Sequence, residues 1–171
     1  MALGKDYDGQ DCSLARALEL VGERWTLLVL RDAFYGVRRY SDFLEHLGAP
    51  RAVLAERLQA LVDAGVLDKV RYQDSPARYE YVLTEAGQEL WPALNALAWW
   101  GSRHRPTGGA RRGYYHVTCG SRIDATTTCP TCGHAVPATE VEARVGSGTL
   151  DNRISRALRK PHRLLEPLAI E

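Results

Sequence analysis

This chain lacks most of the features that would give it away at once. No apolar core region follows the first residues "MALGKDYDGQDC", so nothing resembles a signal peptide. The longest strongly apolar run, "WTLLVL", lies between Arg24 and Arg31 and is far too short to cross a bilayer. A cytoplasmic protein without a membrane partner is therefore expected. There is little net charge: +1 over 171 residues. Residues 1–105 hold 13 Lys and Arg against 15 Asp and Glu, and residues 106–171 hold 9 against 6. A nucleic-acid binder usually shows a stronger basic excess, so any DNA contact must come from where individual arginines sit. Paired carboxylates, a nucleophile motif and a phosphate loop are all missing, and so is a repeat or a low-complexity tract. An enzyme is not expected.

Cysteine is scarce too: four residues, three of them between positions 119 and 132. In a cytosolic chain that clustering favours metal or redox chemistry over a disulfide framework. The segment "HVTCGSRIDATTTCPTCGH" repeats one shape twice, a ligand, two residues, Cys, then Gly. Each copy suits a knuckle in which a tight turn converges two side chains on one metal. His116, Cys119, Cys129 and Cys132 supply the four ligands of a closed, structural Zn2+ site. Such modules depend on metal to fold. Two other readings stand beside this one. "CPTC" would serve as a redox pair, although no βαβ pattern surrounds it, and His134 competes with His116 for the fourth place.

Upstream the texture is helical. "DCSLARALELVG" opens with Asp and Ser as N-cap candidates and carries Leu14, Leu18 and Val21 on one face. "ERWTLLVLRDAFYG" is apolar almost all round, as a buried helix is. "RYSDFLEHLG" and "PRAVLAERLQALVDAG" are two short helices joined by a Gly-containing turn, a helix-turn-helix. In the second, Val53, Leu54, Leu58, Leu61 and Val62 form the buried stripe. The period then changes: "VLDKVRYQ", the turn "DSPA" and the strictly alternating "RYEYVLT" make a β-hairpin, which completes a winged helix-turn-helix. Thr84 caps a last helix containing Trp91, Trp99 and Trp100, with Pro92 expected to kink it or restart it. The aromatic residues there suit core and dimer packing better than a ligand cavity. The fold class expected is mainly α with a small β-hairpin, extended by a small zinc-ribbon β module. The expected parts are a DNA-binding and dimerisation domain over 1–105, a linker over 106–113, the ribbon over 114–146, and a tail over 147–171 with one short helix around 151–159.

The ordered segments "ERWTLLVLRD", "YSDFLEHLG", "RAVLAERLQALVDAGVL", "ARYEYVLTEAG" and the late "WG" at Trp100–Gly101, with Cys12 ahead of them, resemble the HxlR-type branch of bacterial winged-helix regulators, related in fold to MarR-type repressors. The match runs from about Cys12 to His104. It departs from the family at Ser13, where Pro is common, and at Pro50, where Ser or a similar cap is common. The resemblance implies a homodimer built from the first and last helices of the domain, with paired recognition helices entering the major grooves of a double-stranded operator. On that geometry the solvent face of the second helix reads the groove, through Arg51, Ala52, Ala55 and Arg57. The guanidinium fork of Arg51 matches the acceptor pair of guanine. Arg38, Arg39, Tyr40 and Ser41, at the start of the first helix, suit backbone phosphate. Arg78 at the wing reaches a neighbouring phosphate or minor groove, and Asp74 works against it. The resemblance also makes Cys12 a candidate sensor of oxidants or electrophiles. The helix dipole favours its thiolate, adjacent Asp11 opposes it, and simple packing is the competing role. The function expected is a DNA-binding transcriptional regulator responding to a small molecule or thiol-reactive signal. The alternative is a regulator whose C-terminal ribbon recognises a protein or ligand, with Cys12 purely structural.

Overall fold

The computed structural model describes residues 7, 9–105, 112–144 and 151–170. Four helices come first: α1 (Ser13–Val21), α2 (Thr26–Phe34), α3 (Tyr40–Leu47) and α4 (Arg51–Asp63). The N-cap of α1 is Cys12, and no side chain closes its first turn. The expected caps Asp11 and Ser13 therefore do not serve. α2 starts later than Glu23, because Trp25 takes a left-handed φ of 80° at the N-cap. Its Val29, Leu30 and Phe34 have no exposed surface, which explains the nearly all-round apolar sequence. α3, a turn through Gly48, Ala49 and Pro50, and α4 form the helix-turn-helix. Leu54, Leu58 and Leu61 of α4 are fully buried, as their spacing predicts.

One buried group escaped the hydrophobic pattern. Asp32 is completely buried in α2. It accepts hydrogen bonds from Arg31 Nε at 2.9 Å and Nη2 at 2.7 Å, and His46 Nδ1 of α3 lies 2.7 Å from its other oxygen. A buried carboxylate needs such partners, and here they lock α2 to the first helix of the pair. His46, to which sequence alone assigned no role, is thus part of the scaffold. Replacing Asp32 with Ala strands both partners. We expect a loss of about 3 kcal/mol, at the low end for breaking a buried pair because the Arg31 side chain keeps 32% of its surface exposed. Denaturant unfolding checks this; a loss below about 1 kcal/mol would be surface-pair behaviour and would contradict the scaffold role.

The wing is the antiparallel pair β1 (Leu67–Gln73) and β2 (Arg78–Leu83), with Leu67 opposite Leu83 and a register shift near Gln73. Its base is held to the start of α3 by a hydrogen bond from Tyr81 N–H to Arg38 O at 2.8 Å. Thr84 caps the next turn as expected, accepting from Gly87 N–H at 3.1 Å while its hydroxyl donates to Gly65 O at 2.7 Å. That turn is a separate short helix, α5 (Glu85–Gln88), and Pro92 lies in the first turn of α6 (Trp91–His104). Pro92 restarts the helix rather than kinking it, because its missing N–H costs nothing there.

The C-terminal half is built as one piece with this body. β3 (Gly113–His116), β4 (Val141–Arg144) and β5 (His162–Arg163) form an antiparallel sheet in that order, with a 3-10 turn at Ala138–Glu140 before β4. α7 (Arg153–Ala157) is capped by Asn152, whose side chain accepts from Ser155 N–H at 2.7 Å. Of the expected linker, residues 106–111 lie outside the described residues. Arg112 is placed, its guanidinium 4.7 Å above the Tyr35 ring. Trp91 packs edge-on against Tyr114 with centroids 4.8 Å apart, and the Tyr35 and Tyr114 hydroxyls meet at 2.8 Å. Asn95, fully buried in α6, donates to Asp124 O at 2.8 Å. One hydrophobic core therefore runs from Leu30 and Phe34 through Trp91 to Ile123, Val141 and Ile154. The tail completes it: Leu165 N–H donates to Phe34 O at 2.8 Å and Leu168 N–H to Gly36 O at 3.0 Å. Gly36 has φ +77°, and a Cβ there would collide with the Glu166 carbonyl, so this approach requires glycine.

Candidate nucleic-acid interface and metal centre

Two sites emerge. The first is the outer face of α4 with its flanks. Arg51, Ala52 and Ala55 are exposed on one side of the helix whose other side is core. Tyr40 Oη donates to Arg51 O at 2.9 Å, so the start of α3 fixes the start of α4 and the Arg51 side chain stays free to point outward. Ser41 is exposed beside it, its hydroxyl 3.3 Å from Asp42 Oδ1. Arg39 is exposed but ordered, lying 4.7 Å over the Tyr72 ring and 3.2 Å from Glu80. Those contacts splay it between α3 and the wing.

Two expected contacts are placed differently. Arg57 does not face outward. It folds back on Glu23 at 2.8 Å and donates to Arg24 O at 3.3 Å, and its side chain is only 12% exposed. Position 57 lies six residues beyond Arg51, which turns it toward the α1–α2 corner rather than the groove-facing side. Arg38 is half-buried, donating to Leu165 O at 3.2 Å, so the tail has taken part of its hydrogen-bonding capacity. Arg78 is exposed at the start of β2. Asp74 near it is offset by Arg71, which lies 3.3 Å from its carboxylate and donates to its carbonyl at 2.8 Å. The strand alternation of "DKVRYQ" was the available signal for Arg71, since it places that side chain at the wing tip on the exposed strand.

The second site is the Cys/His cluster. Both knuckles fold alike. Gly120 N–H returns to His116 O and Gly133 N–H to Cys129 O, each at 2.8 Å. Both glycines have positive φ, +71° and +75°, which closes the turn so that the two side chains of each knuckle converge. One ligand atom from each of His116, Cys119, Cys129 and Cys132 lies within 4.8 Å of all the others. Cys119 Sγ is 3.4 Å from both His116 Nδ1 and Cys129 Sγ. A tetrahedral zinc site with arms of about 2.3 Å has edges of about 3.8 Å, so the donor set fits. All four cysteines are free thiols. His116 is buried and offers Nδ1 inward, while Nε2 faces Glu140 at 3.3 Å, the arrangement of a ligand histidine oriented by a carboxylate. His134 instead stands edge-on to His116, centroids 5.5 Å apart, and joins a separate grouping with His116 and Glu140. Geometry thus favours His116 with the three cysteines over the His134 variant. Hydrogen bonds from the Ser121 backbone and side chain pull the Cys119 thiol down to about 6, toward the thiolate a cation would take. The neighbouring Cys119 sulfur pushes Cys132 up to about 11. Contact with Cys129, opposed by burial and helped by Cys119, raises His116.

Cys12 is exposed at the head of α1, and Leu14 at 65% and Leu18 at 36% exposure follow it on the same helix. Leu97 and Trp100 of α6 are also exposed, at 53% and 57%. The tryptophans divide their roles: Trp91 is core, Trp99 lies under Arg122 at 4.8 Å, and Trp100 is on the surface.

A helix-turn-helix with a wing and an uncovered recognition face defines a transcriptional regulator of the winged-helix class. Residues 20–108 match the HxlR-like helix-turn-helix family, and the chain belongs to it. It is 45% identical over 148 residues to an uncharacterized HTH-type transcriptional regulator of Mycobacterium tuberculosis (strain ATCC 25618 / H37Rv), covering 85% of this chain and 92% of that one. An overlap of that length extends past the helix-turn-helix and across the Cys/His module. Among solved structures, PA1607 is 30% identical, covering 78% of this chain and 94% of its own, with a TM-score of 0.64. The redox regulator HypR in its oxidized form is 25% identical, covering 56% and 100%, with a TM-score of 0.52. No helix among the described residues is long and apolar enough to cross a membrane.

Proposed function

We propose that this regulator binds a double-stranded operator as a homodimer, with α4 of each copy in a major groove and a zinc ion holding the C-terminal module. The observation that carries the reading is the outer face of α4: Arg51, Ala52 and Ala55 are exposed, and their neighbours hold the backbone while leaving that surface open. Ser41 and Arg39 flank it for phosphate on one side, and Arg78 with the wing on the other. The dimer reading is supported by apolar side chains left on the surface of α1 and α6, namely Leu14, Leu18, Leu97 and Trp100. A groove of about 380 Å³ between α2 and α6, lined by Leu27, Leu28, Leu94 and Leu97 among others, continues that apolar surface. Nuclease footprinting upstream of the gene tests the reading. Two protected half-sites with centres about one helical turn apart, or a multiple of it, are expected. Protection of a single short site would argue for a monomer, and none at all against DNA recognition there.

Cys12 is the candidate for a thiol-reactive signal, since it is exposed at the head of the helix expected at the dimer interface. A modified thiol there would alter helix packing between copies and hence half-site spacing. Diamide is expected to release wild-type protein from DNA in a gel shift and to leave Cys12→Ser bound. Equal release of both proteins would assign the effect to the Cys/His cluster and remove Cys12 from the reading.

A further inference from the structure

The C-terminal tail does more than fill out the core. Residues 151–170 carry five Lys and Arg against two Asp and Glu, in a protein close to neutral. α7 and the segment after it place three of these charges around a cavity of about 350 Å³, a size suited to a small molecule. Arg153, Arg156 and Lys160 line one part of it, and Pro161, Leu168 and Ala169 line another. Of the three cations in the lining, Arg153 is paired with Glu45 and Asp42, and the other two are less fully matched. Arg156 and Arg159 share a single carboxylate, Asp151, at 3.3 and 3.4 Å, and Lys160 has no carboxylate partner among the described residues. His162, also in the lining, turns its Nε2 to Glu166 O at 3.1 Å, so the imidazole adds no negative group.

This cavity reaches the helix-turn-helix chiefly through Arg153. Arg153 places its guanidinium 2.6 Å from Glu45 and 3.6 Å from Asp42, both on α3, the first helix of the helix-turn-helix. A second cavity of about 240 Å³ shares Arg153 and Leu168 with the first and reaches Arg38 and Arg39 at the start of α3. Arg153 and Leu168 form the common wall between the basic cavity and that start.

We propose that the α7–β5 cavity is an effector site for a small amphipathic carboxylate. The carboxylate pairs with Lys160, Arg156 and Arg153, and the apolar body lies against Pro161, Leu168 and Ala169. A concave site with an apolar wall suits such a ligand better than a phosphodiester backbone, which needs cations on an open surface. The bound anion competes with Glu45 for Arg153 and loosens the clamp between tail and α3. Operator affinity then falls because α3, gripped at Glu45 in its later turn, keeps only the Asn152 side-chain and Arg153 backbone bonds to that residue and is oriented less firmly. This last step rests on the DNA reading above; the binding step does not.

The test uses full-length wild-type protein and an Arg156→Ala/Lys160→Ala variant, both changes being at exposed positions. Calorimetry with benzoate and hexanoate is expected to show binding to wild type and a loss of about tenfold or more in the variant, as for removed charge-assisted contacts. Benzyl alcohol and inorganic phosphate are expected to bind at least about tenfold more weakly than benzoate. In gel shifts on the footprinted operator, saturating benzoate is expected to weaken wild type at least about threefold and to leave the variant unchanged. Any of several results overturns the proposal: no binding of either carboxylate up to about 10 mM, equal binding of phosphate, or equal binding by the variant. Weaker DNA binding by the variant without added carboxylate would make these cations DNA contacts, and would overturn it too. Calorimetry needs no DNA, so a failure of wild type to retard any operator would sink the DNA reading alone.

Discussion

Stripping zinc from the reduced protein with a chelator, or replacing Cys129 with Ser, is expected to lower the melting temperature by about 6–20 °C. The size follows from the site. Cys129 is fully buried, and its amide and sulfur organise the second knuckle through Cys129 N–H to His134 O and Cys132 N–H to Cys129 Sγ. Without a cation, three sulfurs and an imidazole within 4.8 Å of one another have only weak contacts to sulfur in place of four metal–ligand bonds. The damage spreads, because Ile123, Val136 and Val141 around the knuckles belong to the same core as Trp91 and Phe34. Losing about 3–5 kcal/mol at roughly 2–4 °C per kcal/mol for a chain of this size gives that range. The full binding energy of a structural zinc is larger. The shift stays below it because the helix-turn-helix core retains its own packing. Metal analysis of protein purified under reducing conditions should find about one zinc per chain, as a single four-ligand site requires. Protein that carries no zinc and melts identically after chelation would end the metal reading, while a fall in melting temperature only on oxidation would point to a thiol–disulfide pair.

Arg51→Ala is expected to weaken specific operator binding by about 30-fold or more while leaving the fold intact. A bidentate contact from arginine to a base edge contributes about 1–3 kcal/mol of discrimination, and a dimer presents it twice. Arg51 is exposed and its backbone carbonyl, not its side chain, holds Tyr40, so truncation removes no packing. Arg57→Ala is the informative comparison. It breaks the pair with Glu23 and the bond to Arg24 O, so it is expected to change stability more than base preference. Gel shifts on the footprinted site and on a site scrambled at the contacted base separate the two effects. An Arg51→Ala protein that keeps its preference between those sites would remove α4 from the reading.

Much of this molecule was legible in the order of its residues. The helix-turn-helix came from local periodicity: Leu54, Leu58 and Leu61 repeat at helical spacing, and the fold buries all three. The knuckles were legible for the same reason, since His-x-x-Cys-Gly and Cys-x-x-Cys-Gly each specify their own turn. What periodicity missed were polar side chains whose partners are distant in sequence. Asp32 sits on an apolar helix and reads as an interruption until His46 is brought beside it. Asn95 looks like a surface position of α6 until Asp124 arrives 29 residues later. Arg57 looked free because its partner Glu23 lies 34 residues earlier.

By itself, then, the amino-acid order determined the local units: the helix pair, the hairpin, and the two knuckles with their three clustered cysteines. Each depends on interactions spanning a few residues, which spacing and turn chemistry encode directly. Only the tertiary structure decided which arginines remain outward, that His116 rather than His134 faces the sulfurs, and that the tail returns to Gly36 and α3 to wall off a basic cavity. Those outcomes are pairings between chain segments up to more than a hundred residues apart, and long-range packing alone selects which charge meets which.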